Sequence, residues 1–156
     1  MPDVNRRTFL AVSAAACACG LCPFATHGAD KGKGKAPADP VEVGTVADFD
    51  RDGAYDKFAA EHGFFLVREK GRLFAVGSAC THKETLLKLK GDAFACPKHG
   101  ARFSLQGKVT KPPARRPLPR FAISRAESGK ITVDPAKTFD KDHWDDEGSY
   151  LPAGEK

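Results

Sequence analysis

The sequence predicts an all-β domain, a small antiparallel sandwich or barrel, on three observations. From Val41 onward short apolar runs are bounded by Gly, Pro or charged turn residues, period-two alternation recurs, and no long window carries a helical period. A chain of 156 residues has room for one ordinary domain with a leader or tail, and 41% apolar residues suffice for its core.

The elements follow in chain order. Arg6-Arg7, then Thr-Phe-Leu and a run of small and apolar residues to about Leu21, resembles a twin-arginine export signal, so residues 1–29 read as an export leader. The apolar run is interrupted by Ser13, Gly20 and Pro23 and falls short of the roughly 20 residues a membrane span needs. Small residues ending at Ala18 or Ala29 offer two cleavage points, and an uncleaved leader would associate the protein with the membrane. Cys17, Cys19 and Cys22 lie in this leader and are assigned no function. Residues 30–40, "DKGKGKAPADP", hold no large apolar side chain and form a linker.

Strands are expected at 41–47, 63–69, 72–78, 93–95, 102–105, 108–110, 120–125 and 130–134. Glu69-Lys70-Gly71 turns the clearest hairpin, and Phe121, Ile123, Ile131 and Val133 repeat the alternation near the end. "DFDRDG" at 48–53 copies the opening of a calcium loop, with Asp48, Asp50, Asp52 and Gly53 at the right offsets. Ala59 stands where a bidentate Glu is required, so a solvated turn is expected instead. Residues 136–156 form an acidic C-terminal tail, with seven acids against three bases from Asp134 on, held by packing of His143 and Trp144. No nucleic-acid motif or phosphate-cradling glycine loop is present, which excludes a nucleic-acid partner.

The chemistry concentrates in Cys80-Thr81-His82 and Cys96-Pro97-Lys98-His99. Two short Cys–His pairs beside turn residues are what two neighbouring loops present around a bound inorganic centre. Nucleophilic catalysis needs one thiol and one distant, oriented histidine, whereas here the pair is duplicated. Zinc and iron-sulfur both remain: two thiolates and two imidazoles satisfy a zinc tetrahedron, although Cys-x-His is tighter than the usual zinc offset. His27, His62 and His143 are given no ligand role.

With the proline-rich "KPPARRPLP" at 111–119, these motifs resemble the Rieske 2Fe-2S domain over residues 41–135. The resemblance implies a Rieske-like fold whose cluster-binding subdomain presents two loops. One 2Fe-2S cluster would have Cys80 and Cys96 on one iron and His82 and His99 on the other. Two neutral imidazoles leave the oxidised centre uncharged where four thiolates would leave it at minus two, so such centres run at roughly −150 to +300 mV. Pro112, Pro113, Pro117 and Pro119 would cover the cluster with stiff backbone. The quinol-oxidising members add a cysteine to each loop, joined as a disulfide, and a serine and a tyrosine as donors to the sulfurs. This chain has Thr85 and Lys98 in the first two places and Ala101 and Phe103 in the others, which implies a potential in the lower half of the range.

Residues 83–120 carry ten Lys or Arg (Lys83, Lys88, Lys90, Lys98, Arg102, Lys108, Lys111, Arg115, Arg116, Arg120) against Glu84 and Asp92. A basic cluster end suits electrostatic docking of an acidic redox partner. The expectation is an exported, periplasmic electron carrier with no catalytic residues of its own. The alternatives are the small subunit of a larger oxidoreductase resembling arsenite-oxidising enzymes or cytochrome bc complexes, the ferredoxin partner of a ring-hydroxylating oxygenase, and a structural zinc domain.

Overall fold

The computed structural model describes residues 39–154, so the export leader, most of the linker, Cys17, Cys19, Cys22 and His27 lie outside the described residues. Eleven strands run in chain order: β1 (Val41–Thr45), β2 (Gly53–Tyr55), β3 (Phe64–Glu69), β4 (Arg72–Gly77), β5 (Lys88–Lys90), β6 (Ala93–Ala95), β7 (Arg102–Ser104), β8 (Val109–Lys111), β9 (Arg120–Arg125), β10 (Lys130–Phe139) and β11 (Leu151–Pro152). They form an antiparallel seven-stranded sheet in the order β1-β10-β9-β4-β3-β2, with β11 also on β4, and a four-stranded sheet in the order β5-β6-β7-β8. Among the described residues no helix is long and apolar enough to cross a membrane.

Strand β3 shows how two sheets share one core. Its Phe64-Phe65-Leu66-Val67 is apolar without alternation because both of its faces are covered. Phe64 and Leu66 pack with Leu73, Ala75, Phe121, Ile123, Ile131 and Val133 on one face. Phe65 and Val67 point the other way, with Phe74 and Val76, into the layer that holds Phe94, Phe103 and both loop cysteines. Phe65 stacks on Phe94 at 4.3 Å between centroids and joins the large sheet to the small one. Each such fully buried aromatic or branched side chain contributes about 1.5–3 kcal/mol of burial.

Three strands escape sequence analysis because their apolar signal is too short. Lys88-Leu89-Lys90 offers one inward position between two exposed lysines and becomes strand β5 only by pairing with β6. Strand β2 begins at Gly53, the last residue of the calcium-loop lookalike. In that segment Asp48 accepts from the Thr45 backbone N–H at 2.7 Å and from its hydroxyl at 2.9 Å, which holds its carboxyl below the usual range. Asp52 faces the Arg68 guanidinium at 3.5 Å. Both carboxylates are thus engaged within the fold.

The third strand changes the picture of the acidic segment. β10 continues beyond residue 135 to Phe139, with its register shifted between Asp134 and Thr138, where Pro135 has no N–H to donate. The chain then returns so that Leu151 pairs with Leu73, filling the half of β4 that β9 leaves uncovered. Residues 136–152 are therefore built onto the sheet rather than trailing from it. Trp144 is buried as expected, but His143 is exposed and anchors nothing by burial. Its short 3-10 turn, Lys141–His143, turns only Trp144 inward.

Candidate metal centre

The four motif residues sit in two loops that are the same turn. In the first, the Cys80 N–H donates to the Thr85 carbonyl at 2.9 Å and the Glu84 N–H donates back to the Cys80 carbonyl at 2.8 Å. In the second, the Cys96 N–H donates to the Ala101 carbonyl at 2.8 Å and the Gly100 N–H to the Cys96 carbonyl at 3.0 Å. Each loop is closed below by antiparallel pairing of the residues flanking the turn, Ala79 with Leu86 and Ala95 with Arg102. The fifth residue of each has positive φ, +45° at Glu84 and +71° at Gly100. The two loops are legible in the sequence but their equivalence is not, because it lies in backbone bonds and not in side-chain types.

This turn buries sulfur and presents imidazole. Cys80 and Cys96 are 1% and 3% exposed, both free thiols, whereas His82 and His99 are exposed. The two imidazoles meet edge to face with centroids 4.9 Å apart. The two sulfurs lie within hydrogen-bonding reach of each other. In each loop two backbone N–H groups point at the sulfur, from His82 and Lys83 toward Cys80 and from His99 and Lys98 toward Cys96. Burial pushes the Cys80 thiol up. Burial also raises Cys96, but the His99 and Lys98 N–H groups, with Cys80 and Thr85, outweigh it and hold that thiol below its ordinary range. Desolvation first, then His82, Lys83 and Lys98, lower His99, favouring the neutral imidazole a metal requires.

Three further residues hold the loops. Gly77 lies where β4 leaves the sheet toward Cys80; its N–H donates to the Pro119 carbonyl, and a Cβ there would stand 3.0 Å from the Pro119 ring. The Thr81 hydroxyl donates to the Arg116 carbonyl at 2.7 Å and ties the proline-rich segment to the first loop. The Thr85 hydroxyl donates to the Lys83 carbonyl at 3.3 Å and, from the other loop, helps hold the Cys96 thiol down. Thr85 stands where quinol-oxidising members carry a cysteine, and its effect on the opposite sulfur is visible only in the folded loops. Ala101 and Phe103, which carry no such hydroxyl, are fully buried in the layer beneath.

The donor set fits a two-iron centre. Its sulfurs are grouped in the interior and its imidazoles at the rim. Among the described residues no three His, Cys, Asp or Glu side chains are placed to share one ion, whereas a tetrahedral zinc site would need all four donors around one point. Lys83 and Lys98 act on His99; nine of the ten cations of residues 83–120 are exposed, and among the described residues none of the nine is in a salt bridge. Arg120, expected in this basic face, is instead buried at 5% exposure on β9.

An all-β scaffold that presents paired thiols and paired imidazoles on twin loops defines the class of iron-sulfur electron-transfer proteins. A family model described as the Rieske [2Fe-2S] domain matches residues 39–122, and the chain belongs to that family, which carries one Rieske-type 2Fe-2S cluster. The cytochrome b6-f complex iron-sulfur subunit of Chlorobaculum tepidum is 37% identical over 70 residues, 44% of this chain and 38% of that protein. The cytochrome b6-f complex iron-sulfur subunit 2 of Trichormus variabilis is 39% identical over 64 residues, 38% of this chain and 36% of that protein. The match thus spans less than two-fifths of these relatives. Among solved structures, the plasma membrane Rieske protein PetC3 from Synechocystis PCC 6803 is 35% identical with a TM-score of 0.47, covering 60% of this chain and 97% of that one.

Proposed function

We propose that Cys80 and Cys96 hold one iron of the cluster and His82 and His99 the other, and that the protein is an exported one-electron carrier of low-to-middle potential. The observation that carries this assignment is the repeated turn, with a buried sulfur braced by two N–H groups in each loop and the two imidazoles 4.9 Å apart at the rim. When bound, the cluster supplies a site that takes up and returns one electron.

The chain's own residues govern that exchange. Backbone N–H groups of residues 82, 83, 98 and 99 stabilise negative charge on the thiolates. Thr81 pins the proline-rich segment beside the first loop and limits water there. Ala101 and Phe103 donate nothing to sulfur and Thr85 shares its one hydroxyl proton between the Lys83 carbonyl and the Cys96 sulfur, which supports a potential in the lower half of the family's range of roughly −150 to +300 mV. Lys83 and Lys98 stand by His99 and draw an acidic redox partner to the edge where the electron leaves. Arg6 and Arg7 support delivery to the periplasm by a route for folded proteins.

Redox titration of the purified full chain, followed by low-temperature spin resonance, tests this. A reduced signal with mixed sulfur and nitrogen ligation and a midpoint in the lower half of that range is expected, and a midpoint above about +250 mV would count against it. Colourless protein without labile sulfide would overturn it. The likeness to cytochrome b6-f subunits supports a second reading, a subunit of a membrane oxidoreductase; co-purification with a cytochrome from detergent-solubilised membranes would favour it.

A further inference from the structure

A pocket beside strand β4 is built around a buried charge. Its lining runs along β4, from Arg72, about 17 Å of strand away from Gly77 and the loops, to Arg120, whose backbone pairs with Val76. The pocket of about 740 Å³ is lined by Arg120, Trp144 and Phe74, with Lys70 and Lys108 at its edge. The Arg120 guanidinium is sandwiched between the Phe74 ring at 3.9 Å and the Trp144 ring at 4.7 Å. Its Nη1 donates to the Trp144 carbonyl at 3.1 Å, while its Nε and the Trp144 Nε1 have no protein partner.

A guanidinium 95% buried is ordinarily met by a carboxylate, because a desolvated charge without a counter-charge is costly. Among the described residues Arg120 has none within salt-bridge distance. Of the three acids that line the pocket, Asp145 holds Arg72 at 2.6 Å, Asp142 lies 3.5 Å from Lys141, and Glu69 accepts from the neutral Gln106 amide at 2.8 Å; Asp145 and Glu69 attract Arg120 only from beyond ion-pair distance. Lys70 and Lys108 also lack a carboxylate partner among the described residues, so five cations face three acids, two of them already in ion pairs. Burial lowers Arg120 to about 10, which leaves it cationic at neutral pH.

We propose that this pocket binds a phosphate-type oxyanion, with Arg120 as its floor and Lys70 and Lys108 as its rim. The two aromatic rings hold the guanidinium plane fixed, and a fixed fork matches the paired oxygens of a tetrahedral anion. The volume exceeds that of inorganic phosphate and admits an organic group attached to it. Its rim lysines lie in the β3–β4 and β7–β8 turns, at the ends of β4 and β7 opposite the cluster loops.

Trp144 is the chain's single tryptophan and lines the pocket, so it reports occupancy directly. The cluster-loaded full chain is titrated with inorganic phosphate against sodium chloride at matched ionic strength, following Trp144 emission and the visible spectrum of the cluster. A saturable emission change with phosphate alone, an unaltered cluster spectrum, and at least tenfold weaker binding in the Lys70→Ala/Lys108→Ala double variant are expected. Both lysines are exposed, so that variant keeps the fold. No saturable change, equal affinity in the double variant, or a cluster spectrum that moves in step with the emission would overturn the proposal.

Discussion

The loops at Cys80–Thr85 and Cys96–Ala101 close the same two backbone hydrogen bonds, yet they differ at every position that is not structural. Histidine stands third in one and fourth in the other; the left-handed position holds Glu84 in one and Gly100 in the other; the sixth residue is Thr85 in one and Ala101 in the other. The comparison separates two jobs. Backbone geometry delivers sulfur to the same buried place twice, while side-chain identity decides how the imidazoles meet and which donors the sulfurs receive.

The largest test removes what the loops share. Cys96→Ser, or Cys80→Ser, is expected to abolish the visible absorption and spin-resonance signal altogether, because neither loop supplies a second thiol; retention of a normal cluster spectrum would break the equivalence. Next comes the left-handed residue. Gly100→Ala meets no neighbouring atom, so its cost is backbone strain of about 1–2 kcal/mol, read by denaturant unfolding. Glu84→Gly relieves the matching strain but loosens the unfolded chain, so it should change stability by less than about 0.5 kcal/mol. Equal and large effects at the two positions would show that the turns differ.

Smaller effects sharpen the difference between the loops. Thr81→Val deletes the bond to the Arg116 carbonyl, costs about 1 kcal/mol and should speed cluster loss on dilution into chelator, since only the first loop is tied to the proline-rich segment. Thr85→Ala removes the cross-loop donor to the Cys96 sulfur and should lower the midpoint by about 40 mV, the one-electron equivalent of roughly 1 kcal/mol. An unchanged midpoint would leave Thr85 as a spacer.

Much of this was legible in the chain itself. Apolar alternation in Phe121-Ala122-Ile123 and Ile131-Thr132-Val133 marks strands because a half-buried strand must alternate, and each lies in a strand of the large sheet. The Cys–His motifs stand out because few chemistries use that pair twice. The short strands were not legible: Lys88-Leu89-Lys90 and Leu151-Pro152 are strands only because a partner edge is there to receive their backbone groups. Arg120 shows the same limit. As one cation in a basic run it counts toward a docking face, and burial between Phe74 and Trp144 takes it out of that face.

By itself the sequence determined the residue chemistry: an all-β chain, two thiols and two imidazoles in two loops, and an excess of cations around them. Those properties depend on side-chain type and spacing, which are local. Only the tertiary structure decided that the loops are one turn used twice, that Thr85 acts on the opposite sulfur, and that a lone guanidinium sits buried in a pocket beside strand β4. Each of these depends on which distant segments meet, and packing, not composition, settles that.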